Sequence, residues 1–131
     1  MNQNQNPPAA QLLSREVVSI DTDSGEVTLR FIAKPEFANR HGTVQGGFVA
    51  AMLDSATGMA VMQSLPPHQT AVTTRLDVSY VKPAPLGPLC ATARLIMRDD
   101  RTAMVEGTLR DNDGVVLASA KAELRVLVRK G

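Results

Sequence analysis

A single carboxylate, Asp54, stands inside the stretch Gly46 to Met62, where apolar residues fall on every side. That distribution predicts a helix buried all round. A carboxylate in such a place is costly unless it is paired, hydrogen-bonded or used for chemistry. The residues upstream make a chemical reading concrete. Asn39-Arg40-His41-Gly42-Thr43-Val44-Gln45 is a polar loop, and Gly46-Gly47 lets a ligand approach the backbone closely. Gly46 begins the helix, so its N–H is one of the unpaired amides that, with the helix dipole, hold a developing negative oxygen. Loop, double glycine, helix and a single acid together suggest an active site built on a helix N-terminus. The structural reading beside it makes Asp54 an acid bonded to Thr57 or to a backbone amide, and makes the glycine pair a device for close helix packing.

Spacing limits how the two parts can meet. Asp54 follows Gly46 by eight residues, about 12 Å along a helix at ~1.5 Å per residue. One small reacting group cannot touch both on the same helix. Two helices packed antiparallel across a two-fold axis would bring each Asp54 to the other helix's N-terminus and form two equal sites. Gly42, Gly46 and Ala50, spaced by four, permit a close backbone approach.

The remaining elements must position this helix. Val27, Leu29 and Phe31 alternate with polar residues and predict a strand after the Asp23-Ser24-Gly25 turn. Lys34-Pro35 ends it, and Leu65-Pro66-Pro67 stops the helix. Val72, Thr74, Leu76, Val78 and Tyr80 alternate as a second strand up to Lys82-Pro83-Ala84-Pro85. Leu89 to Met97 forms a third. A turn at Asp99-Asp100 leads to a fourth, Ala103 to Arg110. Asp111-Asn112-Asp113-Gly114 is a hairpin signal. In the last strand Ala118, Ala120, Ala122, Leu124 and Val126 face one way, while Ser119, Lys121, Glu123 and Arg125 face the other. The expectation is an α+β domain: one strand, a central helix, then a meander of four long strands wrapped on that helix. Residues 1–14 are expected as a flexible N-terminal tail and 15–131 as a single domain. One helix covers part of one sheet face, so the uncovered edges predict an oligomer.

Composition removes several function classes. The 131 residues suit one domain, with a core of Val, Leu, Ala and Met because aromatic residues make up only 3%. A net charge of +1 gives no reason to expect nucleic acid as a partner. The single cysteine, Cys90, cannot form an internal disulfide and reads as a small core or interface residue in a reducing, cytoplasmic setting. No stretch reads as a signal peptide or a membrane span. The two histidines and one cysteine lack zinc spacing, and no dinucleotide fingerprint is present, so no metal and no cofactor are expected. Ser55 lacks the Gly-x-Ser-x-Gly elbow of serine hydrolases.

The pattern Asn39-x5-Gln45-Gly46-Gly47-x6-Asp54 resembles the hotdog-fold acyl-CoA thioesterases, in the branch containing phenylacetyl-CoA and 4-hydroxybenzoyl-CoA thioesterase-like enzymes. Thr73-Thr74-Arg75-Leu76-Asp77-Val78-Ser79-Tyr80-Val81-Lys82-Pro83-Ala84 is similar to that family's strand ending in Tyr-x-x-Pro. The resemblance spans roughly residues 25–127. It implies an antiparallel sheet wrapped around one long central helix and hydrolysis of an acyl-CoA to free acid and CoA. It further implies a homodimer or a dimer-of-dimers tetramer. By position, the implied roles fall on Asp54 as nucleophile or general base, Gly46 as oxyanion amide, Asn39 beside the carbonyl or the water, and Thr73 assisting the water. Thr74 is the alternative to Thr73, because alternation puts the two on opposite faces.

Gln45 and Gly47 adjoin the oxyanion position. Gln45 stands where this branch usually has His, which removes a group titrating near neutral pH but keeps hydrogen-bonding capacity. His41 lies close by in the loop. Lys82, Arg98 and Arg101 are the basic groups expected to meet CoA phosphates, with ordinary surface charge as the plain reading. Met52, Met59 and Met62 would line an acyl pocket or simply pack the core. Besides a purely structural dimer, two rival functions remain at this stage. One is a hotdog dehydratase or hydratase, which relies on the His that Gln45 replaces. The other is a non-catalytic acyl-CoA binding or sensing module, which would not need Asp54.

Overall fold

The computed structural model describes residues 6–130. Expectations that fall on residues 1–5 lie outside them. From Pro8 the expected tail is a short helix, α1 (Pro8–Leu12), and Ala10 and Leu13 are buried, since these apolar side chains find cover against the body. Six strands follow: β1 (Glu16–Asp21), β2 (Glu26–Ala33), β3 (Gln69–Tyr80), β4 (Gly87–Arg98), β5 (Thr102–Arg110) and β6 (Val116–Val128). The long helix α2 (Gly46–Met62) lies between β2 and β3 in sequence.

The strands form one antiparallel sheet in the order β1-β2-β4-β5-β6-β3, around α2. Two expectations change. β1 is an additional strand: its burial is uniformly exposed, so it carries no alternation to read. The four later strands are not a simple meander. β3 pairs with β6 and leaves its other edge free, while β4 pairs with β2 across the sheet. Of these four, hairpins join only β4-β5-β6, through the Asp99-Asp100 and Asp111–Gly114 turns.

Small residues let the helix approach the sheet. Ala93, Gly107 and Ala120 lie in register across β4, β5 and β6. A Cβ on Gly107 would stand 3.2 Å from Thr57 Cγ2 and 3.5 Å from Leu53 Cδ2. Thr57 is fully buried, and its hydroxyl is satisfied locally by donating to Leu53 O at 2.9 Å and Asp54 O at 3.1 Å. Around this contact Leu29, Phe31, Leu89, Val105 and Leu124 complete the core. The opposite sheet face is solvated. There Glu26, Arg94, Glu106, Lys121 and Asp77 align across five strands with alternating sign.

The helix is not buried all round. Val49, Met52, Leu53, Ala56, Thr57, Ala60 and Val61 form one buried stripe. Gly47 and Asp54 are exposed, and Ala51, Ser55, Gly58, Met59 and Met62 are half-buried. One chain offers the helix only one sheet face, and among the described residues its second side is covered only in part, where α1 and Arg15 approach Ala51 and Ser55. Among the described residues no helix is long and apolar enough to cross a membrane.

Candidate active site

The loop before α2 is held by Asn39. Its Oδ1 accepts from the backbone N–H of His41 at 2.9 Å and of Thr43 at 3.2 Å, and its Nδ2 donates to Thr43 Oγ1 at 2.9 Å. Gly42 takes φ 80, a left-handed value open to glycine, and closes the turn. Val44 then donates to Ala84 O at 2.9 Å and Gln45 to Phe37 O at 2.8 Å, tying the loop to both flanking segments. Phe37 stacks on Phe48 with ring centroids 4.1 Å apart. These contacts fix where α2 begins.

At that start Gln45 has no side-chain cap, and its carbonyl accepts from Phe48 N–H at 2.9 Å. The N–H groups of Gly46 and Gly47 make no hydrogen bond among the described residues. They are free donors at the positive end of a 17-residue helix. Tyr80, at the end of β3, donates its phenol to Gly46 O at 2.7 Å, and its ring lies 3.4 Å from where a Gly46 Cβ would be. Sequence reading assigned Tyr80 no role in the site. Its signal was available: a Tyr at the end of a strand, half apolar and half polar, seeks a partner for its hydroxyl.

A cavity of about 410 Å³ opens beside this helix end, and Asn39, His41, Gly46, Tyr80 and Lys82 are among its walls. The structure thus brings together four of the sequence-derived candidates and adds Tyr80. Gln45 and Gly47 stand next to it without lining it. Asp54 is absent from these walls.

Asp54 lies on the uncovered side of α2, exposed within one chain, which corrects the expectation of burial. Its Oδ1 accepts from Thr73 Oγ1 at 2.8 Å. Of the two candidate threonines, Thr73 is therefore the one in contact with Asp54, while Thr74 Oγ1 donates to Glu123 O at 3.0 Å. A register shift between Thr73 and Arg75 in the β3–β6 pairing accompanies this divergence. Thr57 bonds the carbonyl of Asp54, not its carboxylate.

Arg98 and Arg101 are not brought to the Gly46 cavity. Arg98 reaches Gln69 Oε1 at 3.2 Å and Ser64 O at 3.4 Å, beyond the opposite end of α2. Arg101 sits in the β4–β5 turn, where its N–H donates to Asp99 Oδ1 at 2.9 Å. That bond and another from Thr102 N–H hold the Asp99 carboxyl below its usual pKa. Among the described residues no three His, Cys, Asp or Glu side chains gather to hold a metal ion.

Comparison with known proteins bears on the family and the fold. The family model of the thioesterase superfamily matches residues 41–118. A phenylacetic acid degradation-related protein of Ralstonia eutropha JMP134 has a similar structure at a TM-score of 0.88 and 33% identity, covering 94% of this chain and 93% of that one. A Bacillus halodurans protein, crystallised with CoA, reaches a TM-score of 0.85 at 30% identity, over 98% of this chain and 83% of that one. The acyl-CoA thioester hydrolase YciA of Salmonella typhimurium is 30% identical over 80 residues, 60% of this chain and 59% of the relative.

Proposed function

Because the chain belongs to the thioesterase superfamily and is a thioester hydrolase, we propose that it hydrolyses acyl-CoA thioesters at sites completed by a second copy of itself. The observation that carries the shared site is a separation. Gly46 lines one cavity and Asp54 another, on opposite stretches of the same helix. The free edge of β3 and the uncovered side of α2 favour the antiparallel pairing that would join them.

In this reading the thioester carbonyl points at the Gly46 amide, with the loop held by Asn39 alongside. Asp54 of the second copy, steadied by Thr73, takes a proton from water as the water oxygen bonds the carbonyl carbon. The negative charge gathered on the carbonyl oxygen is met by the amide, a type of donor worth about 3 kcal/mol in such chemistry. The C–S bond then breaks, the proton passes to sulfur, and acid and CoA thiol leave. Direct attack by the carboxylate on the carbonyl carbon uses the same geometry. It would give an acyl anhydride that water then opens. Lys82 and His41, at the cavity wall, suit the polar portion of CoA.

The test is complementation. Asp54→Asn and Gly46→Val are each expected to be inactive in thiol release from acyl-CoAs. Gly46→Val drives a side chain into Tyr80. Unfolded and refolded together, the two should recover roughly a quarter of wild-type activity, since half of the pairs are mixed and each mixed pair holds one intact site. No recovery from two folded variants, or a monomer by light scattering, would reject the shared site.

A further inference from the structure

Beside Asp54, between α1 and the middle of α2, lies a second cavity of about 220 Å³. Ala10, Leu13 and Ala51 form its apolar side, and Arg15, Ser55 and Asp54 its polar side. Arg15 reaches it through the turn that ends α1. Its N–H donates to Ala10 O at 3.0 Å, and Ser14 adopts φ 55, a left-handed conformation that costs a non-glycine residue about 1 kcal/mol or more. The guanidinium then folds against α2. Nη1 donates to Ser55 Oγ at 3.1 Å and Nη2 to Asn6 Oδ1 at 3.2 Å.

Among the described residues the charge of Arg15 is not answered. Among the described residues no carboxylate lies within ion-pair distance of it, and residues 1–5 contain no acidic side chain. Its Nε is buried without a hydrogen-bond partner among those residues. Arginine keeps its proton in proteins, so the positive charge persists even though burial lowers its pKa. An unpaired buried donor on a charged group is costly. It is kept beside the carboxylate expected to act on the thioester.

We propose that Arg15 receives a carboxylate at the far end of the acyl group, so that the preferred substrates are CoA thioesters of short dicarboxylic acids. This rests on the thioesterase reading and deepens it. Nε and Nη2 form one edge of the guanidinium, the edge that matches a carboxylate with two parallel bonds. The neutral Asn6 carboxamide now on Nη2 is the weaker acceptor, and a substrate carboxylate displaces it and reaches Nε. Asp54 repels the same anion, which fixes the direction of the acyl group: thioester at Asp54, free carboxylate at Arg15. Ser55, bonded to Arg15, directly follows Asp54, so the intervening chain is short.

Glutaryl-CoA and pentanoyl-CoA, matched in length and differing in a terminal carboxylate, decide the matter. Wild-type kcat/KM should favour glutaryl-CoA by about tenfold or more. Arg15→Met should erase or reverse that ratio, and Arg15→Lys should restore part of it. Equal or better use of pentanoyl-CoA by the wild type overturns the proposal without any variant, as does an unchanged ratio in a folded Arg15→Met. Asp54-dependent hydrolysis confined to other acyl-CoAs rejects Arg15's role alone. No hydrolysis of any acyl-CoA rejects the thioesterase reading and this proposal with it.

Discussion

Thr73 Oγ1 stands 2.8 Å from Asp54 Oδ1, so a hydroxyl on the sheet's edge strand orients the carboxylate of the central helix. The bond joins residues 19 apart in sequence and aims an exposed acid that would otherwise rotate freely. Asp54→Asn should lower kcat for thioester hydrolysis by about 10²–10⁴-fold, the range for losing a positioned acid–base group. Thr73→Val keeps the shape and removes the donor. A loss of about tenfold in kcat is expected, read by thiol release on the correctly assembled protein. Wild-type turnover in Asp54→Asn would reject the assignment of the acid.

Tyr80 acts at the other end. Its phenol donates to the carbonyl of the peptide whose N–H belongs to Gly47, and its ring braces Gly46. Tyr80→Phe keeps the ring and loses about 0.5–1.5 kcal/mol of hydrogen bonding. The expected outcome is a roughly 2- to 10-fold fall in kcat with a melting temperature lower by only about a few degrees. Equal kcat would limit Tyr80 to packing.

Gly107 sets the distance between helix and sheet. A Cβ there meets Thr57 Cγ2 at 3.2 Å, so Gly107→Ala requires a shift of a few tenths of an ångström. Gly107→Val requires more, and overpacking of this kind costs about 1–3 kcal/mol. Urea denaturation should rank wild type above Ala and Ala above Val. A Val variant as stable as wild type would show that the helix is free to lift.

Two turns make stability depend on acid pH. Asp21 accepts from Ser24 and Asp23 N–H groups, and Asp99 from Arg101 and Thr102, and these bonds lower both pKa values. A folded-state pKa below the unfolded value of about 3.9 gives stability that is present above that pH. It is lost as pH falls through the lower folded value. Melting curves of wild type and Asp99→Ala should therefore differ at pH 6 and draw together as pH falls below the ordinary carboxylate value of about 3.9. A gap that stays constant into acid would sever the link.

Much of the fold is legible in the chain because alternation and turn chemistry are local signals. The last strand's two faces, the Asp111–Gly114 hairpin, the helix ending before Pro66-Pro67 and the loop entering Gly46-Gly47 all depend on neighbours within a few residues. The thioesterase motif is legible for the same reason, since Asn39, Gly46 and Asp54 lie within a single loop and helix.

The tertiary structure decided what depends on distant partners. Helix α2 is apolar on every side, and only the sheet's position shows that one stripe is buried and the Asp54 side is not. Thr73 and Thr74 have the same side chain, and the register shift in β3 determines which one meets Asp54. β1 is exposed along its whole length and carries no period, so only pairing with β2 reveals it. Arg15 looks like a surface charge in the sequence. Its role arises where α1 folds back on α2, because an unanswered charge is a property of surroundings and no residue type announces it.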